Sequence, residues 1–399
     1  MKITAVICEY NPFHLGHAYQ LAEIKKRTAS TEDTAIIAIM SGSFTQRGTP
    51  AILSKYERAK IAVLCGADLV LELPFPFSAA RADLFGAAGV KIANALGVVD
   101  ELCFGSETGN IETLLQTNAR ISSEEYKTAL AERLKKSRAL SHHAAMTEVY
   151  AALYGKSEAL AGSNDILALS YLAALSEEKS KIVPVTIRRV GETYNGEGTG
   201  FASATSIRGM LRSEDFESMR TAVPTETLNG LQKAAKTGEI ADEEKLFPLF
   251  ASLARTRNEL LLNIPDIPAE LASRMIKAAK TAKNTEEFIA LSQTKLYSPS
   301  RIRRGMLYAV LNVTEKDFER VLYTTVLAAN EMGRKILSLI RKTSALPIVT
   351  KPADAADLGE DIAKAFALSA GADSIWELLL PIPASGERMM REHPRMLPT

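Results

Sequence analysis

The sequence predicts an α/β fold in its first half and an all-helical second half. Three observations carry this. Short apolar runs rich in β-branched residues alternate with helical patterns up to about residue 213, the mark of strands buried on both faces of a parallel sheet. Beyond that point the apolar spacing stays helical, punctuated by Pro268, Pro347 and Pro352. Hydrophobic residues make up 46% of the 399, ample for a buried core.

In chain order, the strands are expected at 3–10 (ITAVICEY), 34–42 (TAIIAIMSG), 67–75 (ADLVLELPF), 99–105 (VDELCFG) and 181–190 (KIVPVTIRRV). Helices are expected between them at 15–28, 53–65, 78–96, 123–155 and 164–176. Strands separated by helices pair in parallel with right-handed crossovers. After 213 the expected helices are 215–236, 241–261, 268–281, 284–292, 300–311, 315–342 and 359–370, and the tail ASGERMMREHPRMLPT is expected to be loosely ordered. The expected domains are therefore 1–213 and 214–399. No internal repeat or low-complexity tract is evident.

Lysines and arginines number 48 against 47 acids, a balance that argues against wholesale electrostatic binding of nucleic acid but leaves room for a local basic patch. The cysteines, Cys8, Cys65 and Cys103, follow no ligand spacing and sit in or beside apolar runs, as small core residues of a reducing compartment do. With no apolar stretch of transmembrane length and no signal-peptide pattern, a cytoplasmic protein with no membrane partner is expected.

The chain spends two of its five histidines on His14-Leu15-Gly16-His17, at the exit of the first strand. In an open parallel sheet, ligands bind at the carboxyl ends of the strands, where strand order reverses. Gly16 lets the backbone approach closely. The helix that follows offers free N–H groups and the positive end of its dipole. Imidazoles add donors for charge developing on a phosphate. An isolated H-x-G-H is as well explained by a capping and a solvent histidine; the strand–loop–helix setting selects the functional reading. A second element agrees. FASATSIRGML (201–211) follows the glycine-rich VGETYNGEGTG, and Ser203, Thr205 and Ser206 open a short helix carrying Arg208, a second phosphate cradle.

H-x-G-H after a first strand, with a later S-x-T-x-I-R, resembles the nucleotidylyltransferase superfamily, which shares its Rossmann-like fold and histidine motif with class I aminoacyl-tRNA synthetases. The superfamily's usual I-S-S-T-x-I-R reads here Ala202-Ser203-Ala204-Thr205-Ser206-Ile207-Arg208, one hydroxyl fewer. EYNPFHLGH, MSGSFTQRGTPAILSKYERAKIA, GADLVLELPF, FGSE, SNDIL and ASATSIR are similar to the bacterial tRNA(Met) cytidine acetate ligase family, in order across the first half. The resemblance implies an ATP-dependent ligase that activates acetate as acetyl-adenylate and acetylates the wobble cytidine of elongator tRNA(Met) to N4-acetylcytidine. It implies ATP as substrate, Mg²⁺ held mainly by phosphates with no dedicated metal ligands, tRNA as the nucleic acid and no DNA.

Residue by residue, the resemblance places ATP on Ile7-Cys8-Glu9-Tyr10-Asn11-Pro12-Phe13-His14-Leu15-Gly16-His17-Ala18-Tyr19-Gln20, with His14 and His17 catalytic. Gly105, Asn164, Arg189, Ser206 and Arg208 complete the ATP set; Asn164 can equally cap its helix, and Arg188 is an ambiguous neighbour. Basic clusters in 273–283, 300–305 and 333–342 make the second half the expected tRNA-binding region, through Arg303, Arg304, Arg334 and Lys335. On 333–342, Ile336, Leu337, Leu339 and Ile340 are the expected buried stripe.

Some features stay open on the sequence alone. Arg47 and Lys55, in 41–58, either neutralise the triphosphate, guide the anticodon or lie on a plain solvated face. Glu72 is expected to pair with an arginine such as Arg81. His142 and His143 lack a third ligand for zinc. Two rival functions also stay open: a nucleotidylyltransferase acting on a small phosphorylated metabolite, and a non-catalytic, nucleotide-gated RNA-binding protein.

Overall fold

The computed structural model describes residues 1–28, 33–136, 140–190 and 201–398. The five strands expected in the first half are present as β1 (Lys2–Cys8), β2 (Thr34–Ser41), β3 (Leu69–Leu73), β4 (Glu101–Ser106) and β5 (Val183–Arg188). Between them run α1 (Leu15–Thr28), α2 (Lys55–Leu64), α3 (Ala82–Ala95), α4 (Ile111–Ile121), α5 (Glu124–Lys136), α6 (His142–Tyr154) and α7 (Ser163–Glu177). The single helix expected over 123–155 is two, α5 and α6, and α4 was not anticipated.

The sheet order is β5-β4-β1-β2-β3-β6-β7. The chain builds from β1 outward through β2 and β3, then returns to the other side of β1 with β4. Strand order therefore reverses between β1 and β4, the place where an open parallel sheet binds ligands. The two strands pair only at Thr4↔Glu101 and Ala5↔Leu102, so their carboxyl ends run on unpaired. Alternate side chains serve opposite cores. Ile36, Ala38, Met40 and Val70 pack on one face, with helices of the second half; Ile37, Ile39, Leu69 and Leu71 pack on the other, with α3 and α7.

The second half is mainly helical: α8 (Ala204–Arg212), α9 (Phe216–Met219), α10 (Thr225–Thr237), α11 (Leu246–Thr256), α12 (Ala269–Thr281), α13 (Thr285–Ser292), α14 (Pro299–Leu311), α15 (Glu331–Thr343) and α16 (Glu360–Leu378). It differs from the all-helical expectation by three strands: β6 (Thr324–Ala329), β7 (Ile348–Val349) and β8 (Arg395–Met396). β6 falls inside the expected helix 315–342. It lies antiparallel to β3, with Leu69↔Ala329 and Leu71↔Val326 in register, and all six of its residues are buried. A short apolar run reads the same for a strand and a buried helix segment. What decides between them is the open edge of β3, which needs a partner. Asn330 then caps α15: its side chain accepts the Gly333 N–H and donates to Asp68, each at 2.8 Å. A Cβ at Gly333 would lie 1.9 Å from the Asp68 carbonyl oxygen, so only glycine allows this approach.

The tail is also more ordered than expected. β8 pairs with β6, Met389 is buried, and the buried Glu377 carboxylate accepts the backbone N–H groups of Gly386 and Met389. Among the described residues no helix is long and apolar enough to cross a membrane.

Candidate active site

β1 ends at the switch point, and the chain crosses it through Asn11–Phe13 to enter α1. Tyr10 and Phe13, both buried, pack edge-on under the loop, and the Tyr10 ring also abuts His17, with ring centroids 4.8 Å apart. The two histidines stack. The Nδ1 of His14 accepts the Gly16 N–H at 3.1 Å, and the Nδ1 of His17 accepts the His14 N–H at 3.2 Å. A nitrogen that accepts carries no proton, so in the neutral rings each proton sits on Nε2. Both rings are held neutral. Burial and then Arg189 push His14 down to about 4; burial, His14 and Arg189 push His17 well below the usual histidine range. The donors that the imidazoles offer are therefore neutral Nε2–H groups. A Cβ at Gly16 would meet the His14 ring at 2.9 Å, which explains the glycine of the motif.

These residues open onto a cavity of about 170 Å³. Of the residues expected from the sequence, His14, Gly16, His17, Tyr19, Gln20, Gly105 and Arg189 line it. Gly105 ends β4, and a Cβ there would press on the Arg189 side chain at 3.2 Å. Ile187, Arg188, Val190, Phe201, Ala202 and Ser203 line it too. Sequence reasoning had placed Ser203 in the second phosphate cradle and left Arg188 ambiguous, and it did not assign Ile187, Val190, Phe201 or Ala202. The glycine-rich 191–200, between Val190 and Phe201, lies outside the described residues.

The second cradle stands alongside. Ser203 caps α8 by accepting the Ser206 N–H at 3.1 Å. Arg208 reaches from α8 to the first loop, donating to the Asn11 carbonyl at 2.7 Å and to Thr205 Oγ1 at 3.0 Å. The two phosphate-type elements named from sequence are thus joined by a direct hydrogen bond. Ser206 and Arg208 are not on the cavity wall, and neither is Asn164. Asn164 lies at the start of α7, where the Glu107 carboxylate accepts both its side-chain amide, at 2.6 Å, and its backbone N–H. Ile7, Cys8, Tyr10, Asn11, Pro12 and Phe13 do not line the cavity either; they form the support behind it.

Residues 1–391 match the HIGH Nucleotidyl Transferase family. The chain belongs to that family. Relatives within it include the tRNA(Met) cytidine acetate ligase of Caldanaerobacter subterraneus subsp. tengcongensis, 38% identical over 88% of this chain and 89% of that one. That of Anoxybacillus flavithermus is 33% identical over 98% of both. The crystal structure of Thermotoga maritima TmcAL bound with alpha-thio ATP covers all of both chains at TM-score 0.91 and 32% identity, and its apo form matches at 0.92 and 31%.

Several residues of this HIGH nucleotidyl transferase sit elsewhere than the sequence suggested. Lys55 does not face a phosphate. It is buried between Glu72, at 2.9 Å, and Asp373 of α16, at 2.7 Å. Burial alone would lower its ammonium, but Asp373 and Glu72 outweigh burial and hold it well above the usual lysine range. Glu72 therefore pairs with Lys55, while Arg81 pairs with Asp83. Arg304 is not an open phosphate contact: it is buried, with Asp266 at 2.6 Å. Its place in α14, packed against the β2–α2 loop, explains this, because a Cβ at Gly48 would lie 2.6 Å from the Arg304 backbone N. Arg303 pairs with Glu243. Arg334 and Lys335 are exposed on α15, with Lys335 near Glu331. Leu339 leaves the expected stripe for solvent, and Ile336, Leu337 and Ile340 are buried. His142 and His143 begin α6, and among the described residues no three His, Cys, Asp or Glu side chains could hold a metal ion.

Proposed function

We propose that the chain is an ATP-dependent acetate ligase that forms acetyl-adenylate and transfers the acetyl group to the wobble cytidine of elongator tRNA(Met), giving N4-acetylcytidine. The observation that carries this reading is the stacked pair of neutral Nε2–H donors beside Arg189 at the switch point. Relatives named tRNA(Met) cytidine acetate ligase and a neighbour bound with alpha-thio ATP support it.

ATP lies across the β1–β4 crevice, its adenosine toward Gly105 and Asn164 and its phosphates on His14, His17, Arg189, Ser206 and Arg208. An acetate oxygen attacks the α-phosphorus in line, the bond to the bridging oxygen breaks, and pyrophosphate leaves. This step requires positioning and charge stabilisation more than proton transfer. Two preset N–H donors and two arginines supply that without reorganising. Mg²⁺ accompanying ATP would be held mainly by the nucleotide's phosphates and would help to neutralise them. The tRNA lies along the second half and reaches the site with its anticodon loop splayed, since the target nitrogen must be exposed. The placement is cytoplasmic, where tRNA and ATP meet.

The test is a pyrophosphate-exchange assay with ATP and a panel of carboxylates, followed by addition of tRNA. Exchange driven by acetate, with acetyl then found on cytidine N4, supports the reading. Exchange driven by a phosphorylated metabolite instead, or no turnover, overturns it.

A further inference from the structure

Glu9 stands at the end of β1 but does not line the nucleotide cavity. Its backbone carbonyl accepts Arg58 Nη1 at 2.6 Å, and its Oε1 accepts the Gln46 N–H at 2.6 Å. Both bonds tie it to the β2–α2 side of the loop. Among the described residues its other oxygen, Oε2, accepts no hydrogen bond, and the residue is only partly buried. Burial holds its carboxyl above the usual range, although the Gln46 N–H, Arg47, Arg58 and Arg208 pull the other way.

The cations around it form a rim. Arg208 reaches the Asn11 carbonyl, two residues along the same loop. Arg47 and Arg212 are exposed and close enough to Arg208 to act on it electrostatically. Arg47 sits at the tip of the β2–α2 loop, whose Gly48 packs against α14. A carboxylate oxygen with no donor of its own, ringed by arginines, suits a ligand that brings phosphates to the rim and an amine to the centre. Cytidine in an RNA chain has that chemistry. Its exocyclic amine is a donor that a glutamate accepts, and its flanking phosphates are what exposed arginines hold.

We propose that Glu9 receives the exocyclic amine of the acceptor cytidine and takes its proton during acyl transfer. The inference rests on the acetate-ligase reading above. The N4 lone pair attacks the carbonyl carbon of the mixed anhydride, and the C–N bond forms. The bond from that carbon to the phosphate oxygen breaks, and AMP leaves with the electron pair. The proton released from N4 passes to the Glu9 carboxylate, whose Oε2 accepts no other hydrogen bond among the described residues. Arg47 and Arg212 hold the flanking phosphates. Cys8, Arg47, Arg58, Arg208 and Tyr171 are the titratable and charged groups that act on this carboxylate or are acted on by it.

The rival role is a structural brace for the β2–α2 loop. Glu9→Gln separates the two, because its amide oxygen still accepts the Gln46 N–H while the side chain cannot take a proton. Two rates are read for the parent, Glu9→Gln and Glu9→Asp: acetate-dependent pyrophosphate exchange without tRNA, and single-turnover acetyl transfer to tRNA(Met). In Glu9→Gln, transfer is expected to fall by about 100-fold or more beyond any loss in exchange, the usual worth of a general base. Glu9→Asp recovers part of the transfer rate, with a shifted pH profile. Equal losses in both rates, or transfer at the parent rate in Glu9→Gln, overturn the proposal. A parent that shows no acetate-dependent exchange overturns the functional reading itself, which keeps the two failures distinct.

Discussion

The imidazole rings of His14 and His17 stack with centroids 3.7 Å apart and planes inclined by 23°. Each ring spends Nδ1 on a backbone N–H and keeps Nε2–H for a ligand. Asparagine places an acceptor where Nδ1 was and nothing where Nε2 was. His14→Asn and His17→Asn are therefore expected to fold within about 1 kcal/mol of the parent, the worth of one retained hydrogen bond. Acetate-dependent pyrophosphate exchange should fall by about 100-fold or more, as for the loss of one charge-stabilising donor. His→Ala variants lose the Nδ1 acceptor as well and should be less stable, which thermal unfolding will read. Exchange at the parent rate in both asparagine variants removes the histidines from the chemistry.

The same rings set an acid limit on stability. Between His14's value of about 4 in the folded chain and its ordinary 6.5, the unfolded state binds a proton that the folded state does not. Stability therefore falls as pH drops through this window, by roughly 3 kcal/mol for His14 if the whole interval is crossed. His17 adds to it in the same direction. Urea unfolding at pH 7 and 4.5 should show a smaller acid loss in His14→Asn than in the parent. Identical losses contradict the shift.

Arg208 joins the two cradles through bonds to Asn11 and Thr205. Arg208→Lys retains charge but cannot make both bonds in the same fork. ATP binding, measured by calorimetry, should weaken by about tenfold, the worth of one hydrogen bond to a charged group. Parent affinity in the lysine variant makes Arg208 a bystander.

Among the described residues, Lys55 is the only cation that an ion pair ties to both Glu72 and Asp373. Lys55→Met strands two buried carboxylates, a defect of the kind that costs about 3–5 kcal/mol. Denaturant unfolding should show that loss, and Lys55→Met combined with Glu72→Gln and Asp373→Asn should recover part of it. A stable single variant shows that the cluster contributes little.

On the tRNA side, Arg303, Arg334 and Lys335 remain candidates, and Arg304 does not. Reversing Arg303 together with Arg334 and Lys335 to Glu should weaken tRNA binding and flatten its dependence on salt. Arg304→Ala should instead lower the unfolding midpoint, because it leaves Asp266 without its closest partner. Unchanged tRNA affinity after all three reversals sends the search to another surface.

How far the sequence could be read follows from the range of the interactions involved. β1 to β5 and H-L-G-H were legible because strand, turn and helix start are local patterns, and a local pattern places the switch point. β6 was not, because TTVLAA becomes a strand only where β3, far away in the chain, leaves an edge open. Lys55 and Arg304 looked like surface charges for the same reason: Asp373 and Asp266, which bury them, are distant in sequence. Ser203, Phe201 and the Arg188–Arg189 pair were present in the quoted motifs, but which of them face the cavity depends on contacts distant in sequence, such as Phe201 against Tyr19 and Arg208 on the Asn11 carbonyl.

The pairing of β3 with β6 also bears on how the chain is made. A ribosome emits β3 some 250 residues before β6 arrives to cover it, and β8 follows later still. Until then the nascent sheet presents a flat hydrophobic edge, the kind that recruits neighbouring chains. Synthesis through β6, rather than completion of the nucleotide-binding strands, is thus the point at which this polypeptide becomes safe from its own copies.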